Sequence, residues 1–304
     1  MASNWYDSTQ AKFWTFSRQE LVDLRKGLES ANQTMFNKHP VPDRRHMNIY
    51  IQSNLLKLAK RMNLRQQALA TAQVYIKRFY LRVEMRKTNV YLIMATAVYL
   101  ACKMEECPQH IRLMLGEAAR QWPEFAVTDI SKIGECEFAL ISTLSARLVV
   151  HHPYRTLSEL QGVFSLSSEE VQLAQSIIND SYNTDLPLLY PPHIIAVTAI
   201  FLSVVLRPAQ PAGLQAHSAS AAASGSISPA VSSSAAQNAL SGFGFRQGPQ
   251  KLGKLVDWLA ESKVEMEAIV DATQEMVSLY DVWESFNDRA CKDAIARFMK
   301  DMGK

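Results

Sequence analysis

Two strongly apolar segments lie about a hundred residues apart in this chain and constrain its fold more than any other feature. The first is Val90–Cys102 and the second is Ile194–Leu206. A segment with apolar residues at steps of three and four precedes the first of them, which is typical of an amphipathic helix, and the second follows the same plan. Because a helix that is apolar nearly all round must be buried, the sequence predicts two consecutive helical bundles.

Helical periodicity covers almost every segment that can be ordered, and no strand pattern competes with it. The predicted helices are Ser17–Leu28, Met47–Met62, Arg65–Arg82, Thr88–Met104, Gln109–Gln121, Thr128–Ser145, His151–Gln161, Ser167–Asn183, Pro191–Leu206, Leu252–Ser262, Lys263–Phe286 and Asn287–Lys300. The fold class is therefore all-α, with two consecutive five-helix bundles and an N-terminal helix. We expect a leader and helix over 1–44, the first bundle over 45–147 and the second over 148–304.

A stretch rich in Ala, Ser, Gly, Gln and Pro separates the second apolar segment from the last three predicted helices. It runs from Arg207 to Gln250 and includes HSASAAASGSISPAVSSSAAQ. Such a composition cannot bury enough apolar area to offset the entropy of ordering. We expect a disordered insertion at about 207–250 inside the second bundle, because Ile194–Leu206 still needs the later helices as partners.

Composition limits the classes of partner. The net charge of +3 over 304 residues is far from the strongly basic balance of a dedicated nucleic-acid binder. Both apolar segments are shorter than the roughly 20 residues that span a bilayer. The four cysteines form no CxxC pair, and no Cys/His spacing resembles a zinc site. We expect an intracellular, soluble protein with protein partners, and no nucleic acid, membrane, metal or cofactor.

Motifs that carry catalysis are missing from the sequence. It contains no GxGxxG, Walker, GxSxG or HExxH pattern. Adjacent carboxylates such as Glu105 and Glu106 point to different helix faces, so a solvated helix end is expected there. Arg78, Arg82 and Arg86 are spaced by four and predict a basic stripe, either an exposed face or a docking surface for acidic peptide or phosphate. No catalytic residue is predicted.

Two charged residues fall on apolar helix faces and therefore need partners. Lys103 follows the first apolar segment, on the face that Leu92, Thr96 and Tyr99 define, and Glu137 lies in the middle of a later apolar face. A buried unpaired charge is very costly. The two residues either pair with each other or reach together into another molecule. A pair that bridges two helices could also present its remaining donors and acceptors outward.

These residues carry a resemblance to a known family. LACKMEE at the end of the third helix of the first bundle, and ECEF in its fifth, are similar to the cyclin box. LRQQALATAQVYIKRFYLR, VVHHPYRTL and IINDSYNTDLPLLYPPHIIA resemble, more narrowly, the cyclin C family, which supplies the cyclin of the Mediator kinase module. The resemblance covers nearly the whole chain except the Ala/Ser-rich insertion, and it implies two consecutive five-helix cyclin boxes.

The resemblance implies a regulatory subunit without its own catalytic centre. Such a cyclin binds the N-terminal lobe of a cyclin-dependent kinase and holds the kinase αC helix inward. It further implies other Mediator kinase-module subunits as partners, a nuclear location and a role in RNA polymerase II transcription. The alternatives are the cyclin of another transcriptional kinase, or a cyclin-fold general initiation factor that binds DNA.

By the same resemblance, Lys103 and Glu137 hydrogen-bond the kinase backbone next to its αC helix. The aromatic leader residues Trp5, Tyr6 and Trp14 are candidates for a kinase-specific contact. Too many aromatics occur there for a solvated tail. The alternative is that they only attach the leader to the first bundle.

A third candidate site is a groove that the family presents to another subunit. Asn179, Asp180 and Tyr280 are the residues that correspond to it in this chain. The family carries a tryptophan where this chain has Gln175, which departs from the pattern. Core packing and helix capping are the alternative roles for these three residues.

Overall fold

The computed structural model describes residues 4–123, 129–206 and 249–302, and every regular element in them is helical. This confirms the all-α fold class. The α-helices are α1 (Thr9–Phe13), α2 (Arg18–Ala31), α3 (Gln33–Lys38), α4 (Arg44–Arg61), α5 (Gln66–Phe79), α6 (Val90–Met104), α7 (Ile111–Gln121), α8 (Ile130–Thr143), α9 (Tyr154–Val163), α10 (Ser168–Ser181), α11 (Leu186–Leu189), α12 (Pro192–Val205), α13 (Pro249–Glu261), α14 (Met266–Glu284) and α15 (Asp288–Met302).

The chain divides into two compact units, each built from separated stretches of sequence. Unit 1 comprises Met1–His152, Ser181–Pro192 and Glu275–Lys304, and unit 2 comprises Pro153–Asp180 and His193–Gln274. The helices predicted for the first bundle, α4 to α8, all belong to unit 1. The domain boundaries expected from the sequence, at 44/45 and 147/148, stay predictions.

Helix α6 lies at the centre of unit 1, as its composition predicts. It packs against α4, α5, α7 and α8, and most of its side chains from Val90 to Cys102 are buried. Asn89 caps its first turn, because its side chain accepts hydrogen bonds from the backbone N–H groups of Tyr91 and Leu92. The last turn of this buried helix carries Lys103.

Helix α8 begins at a cap that the sequence predicts. Asp129 Oδ1 accepts a hydrogen bond of 2.9 Å from the backbone N–H of Ser131, while Thr128 lies outside the described residues. The helix buries Ile133, Cys136 and Leu140 against the core of unit 1. The other residues from Gly134 to Ala139 are partly or fully exposed.

The C-terminal helix differs from the sequence-based expectation. We expect it to complete the second bundle, but α15 places Cys291, Ile295 and Phe298 in the core of unit 1. Their spacing of four and three puts the side chains on one helix face. An apolar stripe of this kind indicates that the helix face is buried, but it does not indicate against which bundle the helix packs.

Unit 2 contains the second capping motif that the sequence predicts. At the start of α10, Ser167 Oγ accepts a hydrogen bond from the Glu170 N–H, and Glu170 Oε2 accepts one of 2.6 Å from the Ser167 N–H. Phe164 and Trp258 pack edge to face nearby, with ring centroids 5.4 Å apart. The insertion expected at about 207–250 falls almost wholly on residues 207–248, outside the described residues, and α13 begins at Pro249.

Within the described ranges, no helix combines the length and the apolar character that crossing a membrane requires. The same ranges hold no group of three or more His, Cys, Asp or Glu side chains placed to bind a metal ion.

Candidate functional site

Lys103 and Glu137 meet at the edge of unit 1. The Lys103 Nζ donates to both carboxylate oxygens of Glu137, at 2.7 and 2.9 Å. It also lies 4.3 Å from the centroid of the Tyr99 ring, a cation–π distance. The structure therefore brings the two sequence-predicted residues together from α6 and α8.

The ion pair remains open to solvent. The Lys103 side chain is 41% exposed and that of Glu137 is 16% exposed. Partial burial opposes the charge of Lys103, but the hydrogen bonds to Glu137 and the adjacent Tyr99 outweigh it, so the pKa of Lys103 is raised. The ammonium of Lys103 is thus held charged, in a fixed geometry beside Glu137, where another molecule can reach it.

An exposed aromatic residue follows Glu137 in the chain. Phe138 follows Glu137 on α8 and is 76% exposed, and Met104 next to Lys103 is also exposed. Large exposed apolar side chains beside a fixed charge pair are typical of protein interfaces. Phe138 was not among the residues predicted from the sequence, although its position outside the buried stripe of α8 is a signal that could have identified it.

The leader residue Trp14 is a core residue in the structure. Its side chain is 1% exposed, and the guanidinium carbons of Arg78 and Arg82 lie 5.1 and 4.4 Å from its ring centroid. This burial favours the alternative in which Trp14 attaches the leader to unit 1. The side chain positions the leader and is not itself available to a partner in this conformation.

Other leader aromatics remain accessible. Tyr6 is 64% exposed and packs edge to face on the partly buried Trp5, with centroids 5.2 Å apart. Phe13 is also exposed, with the Arg147 guanidinium 3.4 Å from its ring centroid. These residues offer apolar contact area at the surface of unit 1.

An arginine side chain connects the leader to the helix that carries Glu137. Arg82, which stacks on Trp14, donates hydrogen bonds to the Thr143 carbonyl at 2.6 Å and to Ser145 Oγ at 2.9 Å. Thr143 is the last residue of α8. It lies about 9 Å along the helix axis from Glu137, at 1.5 Å per residue. The leader and the ion pair therefore share α8 as a common support.

The predicted basic stripe is not an exposed face, which corrects the simpler expectation. Arg78 and Arg86 are buried, and only Arg82 is exposed. Arg86 pairs with Glu84 at 2.6 Å and donates to the His39 carbonyl. Spacing of four places three residues on one face only within a single helix, but α5 ends at Phe79, so Arg82 and Arg86 do not continue the face of Arg78.

Glu105 also differs from its expected place at a solvated helix end. Its carboxylate accepts hydrogen bonds from Gln67 Nε2 and Thr71 Oγ1, so it joins the end of α6 to α5. Thr71 Oγ1 in turn lies 2.7 Å from the ring nitrogen Nε2 of His152, whose burial lowers its pKa to about 3. This network has a structural role, and nothing in the sequence spacing indicates it.

The three candidate groove residues do not form an exposed set. Asp180 and Tyr280 are buried, and they belong to unit 2 and unit 1 respectively. Asn179 Oδ1 accepts a hydrogen bond of 2.8 Å from the Tyr154 hydroxyl. Burial of Asp180 and Tyr280 favours the packing alternative for these two side chains.

Comparison with known proteins gives a consistent family. The family described as "Cyclin, N-terminal domain" matches residues 15–149. The chain is 51% identical over 303 residues to the RNA polymerase II holoenzyme cyclin-like subunit of Aspergillus oryzae, covering 99% of this chain and 98% of that protein. The protein of the same description from Neurospora crassa is 46% identical over 342 residues, covering 100% and 99%.

Solved structures share the fold at low sequence identity. One is a chain of the CAK complex from Chaetomium thermophilum bound to ATP-gamma-S, with a TM-score of 0.64, 17% identity, and coverage of 98% of this chain and 88% of that one. Another is a chain of the yeast RNA Pol II CTD kinase CTDK-1 complex, with a TM-score of 0.56, 15% identity, and coverage of 88% and 73%. With relatives about half identical over nearly its whole length, this chain belongs to the cyclin family, among the RNA polymerase II holoenzyme cyclin-like subunits.

Proposed function

We propose that this chain is the regulatory subunit that binds and activates the cyclin-dependent kinase of the Mediator kinase module, and so regulates RNA polymerase II transcription in the nucleus. It acts without a catalytic centre of its own. Membership of the cyclin family supports the general activity. The observation that carries the proposal for this chain is the exposed Lys103–Glu137 pair at the edge of unit 1.

In this proposal the pair forms the polar centre of the kinase interface. An ion pair at a surface contributes little to folding, but it fixes donors and acceptors that a partner backbone can use. The Lys103 ammonium has three N–H donors and the carboxylate of Glu137 has several acceptor sites, so the pair can bind kinase backbone while its internal hydrogen bonds persist. Seated beside the kinase αC helix, it holds that helix in the position that completes the catalytic Lys–Glu pair of the kinase.

Exposed apolar residues supply the rest of the interface. Phe138, the residue after Glu137 on α8, provides the aromatic anchor that such interfaces favour. Tyr6 and the partly buried Trp5 extend the contact area along the leader, while Trp14 holds the leader in place. Other subunits of the Mediator kinase module are further partners in this proposal, and the residues Asn179, Asp180 and Tyr280 contribute to that surface only through the backbone and packing they maintain.

An exchange of the two charges tests the proposal. In the double variant Lys103→Glu with Glu137→Lys, the internal attraction survives because opposite charges still face each other. The groups offered to the kinase, however, have exchanged positions. We expect the thermal midpoint of unfolding to change by no more than a few degrees, and the affinity for purified kinase to fall at least tenfold.

A matched control reverses another ion pair on a different helix. Arg155 and Glu159 form an exposed pair on α9, with 2.8 Å between Nε and Oε1. The exchange Arg155→Glu with Glu159→Arg should leave kinase binding unchanged. Full binding by the Lys103/Glu137 exchange variant would show that this pair serves only to join α6 and α8.

The identity of the kinase is tested by affinity purification of the tagged chain. We expect a cyclin-dependent kinase together with Mediator subunits among the bound proteins. Recovery of general initiation-factor subunits with the kinase would assign the chain to another transcriptional kinase. Recovery of no kinase at all would contradict the proposed function.

A further inference from the structure

Unit 1 contains a cavity that takes no part in the proposed kinase surface. Its volume is about 460 Å³, and α2, α4 and α5 contribute to its walls. All of its lining residues belong to unit 1, and neither Lys103 nor Glu137 is among them. The size falls within the range of sites for small organic ligands, about 300–1,000 Å³.

A buried lysine lines this cavity. Lys77 on α5 is 6% exposed, and its Nζ has no hydrogen-bond partner among the described residues. Burial is the main influence on this group and lowers its pKa to about 8, so that it still carries a proton at neutral pH. A buried ammonium without a hydrogen-bond acceptor is rare, because leaving such a group unpaired is costly.

Two of the three carboxylates that line the cavity are already paired, and the third, Glu29, is an exposed residue of α2. Asp185 accepts hydrogen bonds from Arg25 at 3.0 Å and from Arg44 at 2.5 Å, so that one carboxylate serves two guanidinium groups. The lining also includes Glu84, which is already paired with Arg86 at 2.6 Å. The cavity walls thus carry four cationic side chains against three carboxylates, so positive charge is in excess.

A second unpartnered polar group lies in the same walls. Gln52 on α4 is buried and lines the cavity, and its Oε1 has no hydrogen-bond partner among the described residues. A half-turn of this amide exchanges its oxygen and nitrogen, so it can present an N–H donor to a ligand. The remaining walls include apolar side chains such as Met47, Ile51 and Ile76.

We propose that this cavity binds a small organic anion, a phosphate or carboxylate attached to an apolar body, with Lys77 and Gln52 as its polar contacts. The anion would supply the acceptor that Lys77 lacks and neutralise the excess of positive charge. The apolar body would occupy the space between Met47, Ile51 and Ile76. The site is independent of the kinase surface, and its test does not involve a kinase.

Phenyl phosphate is a suitable probe, since it combines the two chemical features. In a titration of the full chain carrying ¹³C-labelled Met and Ile methyl groups, we expect saturable shifts of Met47, Met85 and Ile76, all of which line the cavity. Phenol and inorganic phosphate each lack one feature. Both should bind at least tenfold more weakly.

The variant Lys77→Met removes the ammonium while keeping a long apolar side chain. It should fold, because it replaces an unpaired buried charge, and it should bind phenyl phosphate at least tenfold more weakly than the wild-type chain. The same substitution at Lys60, which is exposed on α4, should leave binding unchanged. Absence of saturable shifts, equal affinity in Lys77→Met, or binding of phenol as tight as that of phenyl phosphate would each overturn the proposal.

Discussion

Two lysines of unit 1 show how strongly the surroundings determine what a charge does in this protein. Lys103 ends a buried helix at the surface and donates two hydrogen bonds to Glu137. Lys77 lies in the interior, with no hydrogen-bond partner among the described residues. The pKa of Lys103 is raised with Glu137 as its partner, whereas burial lowers that of Lys77 to about 8.

The comparison separates binding from stability. A charge that is satisfied within the chain and exposed can serve a partner without much effect on folding. A buried charge that lacks an acceptor lowers the free energy of unfolding, and a bound anion can restore it. Substitution of Lys103 should therefore change mainly kinase binding, whereas substitution of Lys77 should change mainly the free energy of unfolding.

The largest effect is expected at Asp185, the carboxylate near Lys77. Burial alone would raise its pKa, but Arg44, Lys77 and Arg25 together outweigh burial and hold the pKa at about 2. Asp185→Asn leaves these cations without their anion, so we expect the free energy of unfolding at pH 7 to fall by about 3 kcal/mol. Urea denaturation measures this change.

The pH dependence of stability in acid tests the same role of Asp185. Because the folded pKa of Asp185 is depressed, its contribution is present above the unfolded value of about 4 and is lost as the pH falls through about 2. The difference between the wild-type chain and Asp185→Asn should therefore shrink over this interval. Asp257→Asn, an exposed position on α13, is the control. An unchanged stability in Asp185→Asn would contradict the charge arrangement around Lys77.

The next effect is similar in size and has the opposite sign. Lys77→Met should raise the free energy of unfolding at pH 7 by about 3 kcal/mol, since it removes a charge whose folded pKa is about 8 instead of the usual 10.5. The groups that act on Lys77 electrostatically are Asp185 and Glu275, which favour its charge, and Arg44 and Arg25, which oppose it.

The pH dependence follows from that lowered value. Below pH 8 the folded chain bears the full unfavourable charge, and between about 8 and 10.5 the folded state releases this proton before the unfolded state does. The stability gap between Lys77→Met and the wild-type chain should therefore narrow as the pH rises through this range. A gap that is absent at pH 7, or that widens with pH, would show that Lys77 has an acceptor.

The contrast between Lys103 and Lys77 also shows which features of this chain can be predicted from its sequence. Periodicity predicted the all-α fold, the buried helix α6 and the caps at Asp129 and Ser167. It also predicted that Lys103 and Glu137 need partners, because both stand out against apolar helix faces. These features depend on residues close together in the sequence, so helix geometry alone is enough to predict them.

Features that depend on contacts between residues far apart in the sequence could not be predicted from periodicity. Lys77 stands between Ile76 and Arg78 on an amphipathic helix. Only the approach of Arg25, Arg44 and Asp185, all distant from it in sequence, gives it a cavity with excess positive charge. The stripe of α15 required burial but did not specify unit 1. The short helices α3 and α11 are too brief for periodicity to reveal them.

The smallest effect on folding is expected at Lys103. Exposed ion pairs contribute about 1 kcal/mol or less, so Lys103→Met should lower the free energy of unfolding by no more than that amount, although Glu137 loses its partner. In the same variant, the proposed loss of the kinase contact should reduce kinase binding in a pull-down, whereas Lys77→Met should leave kinase binding intact. A loss of more than about 2 kcal/mol in Lys103→Met would mean that the pair mainly stabilises the fold. Lys103 would then resemble a buried structural charge, and the distinction between the two lysines would fail.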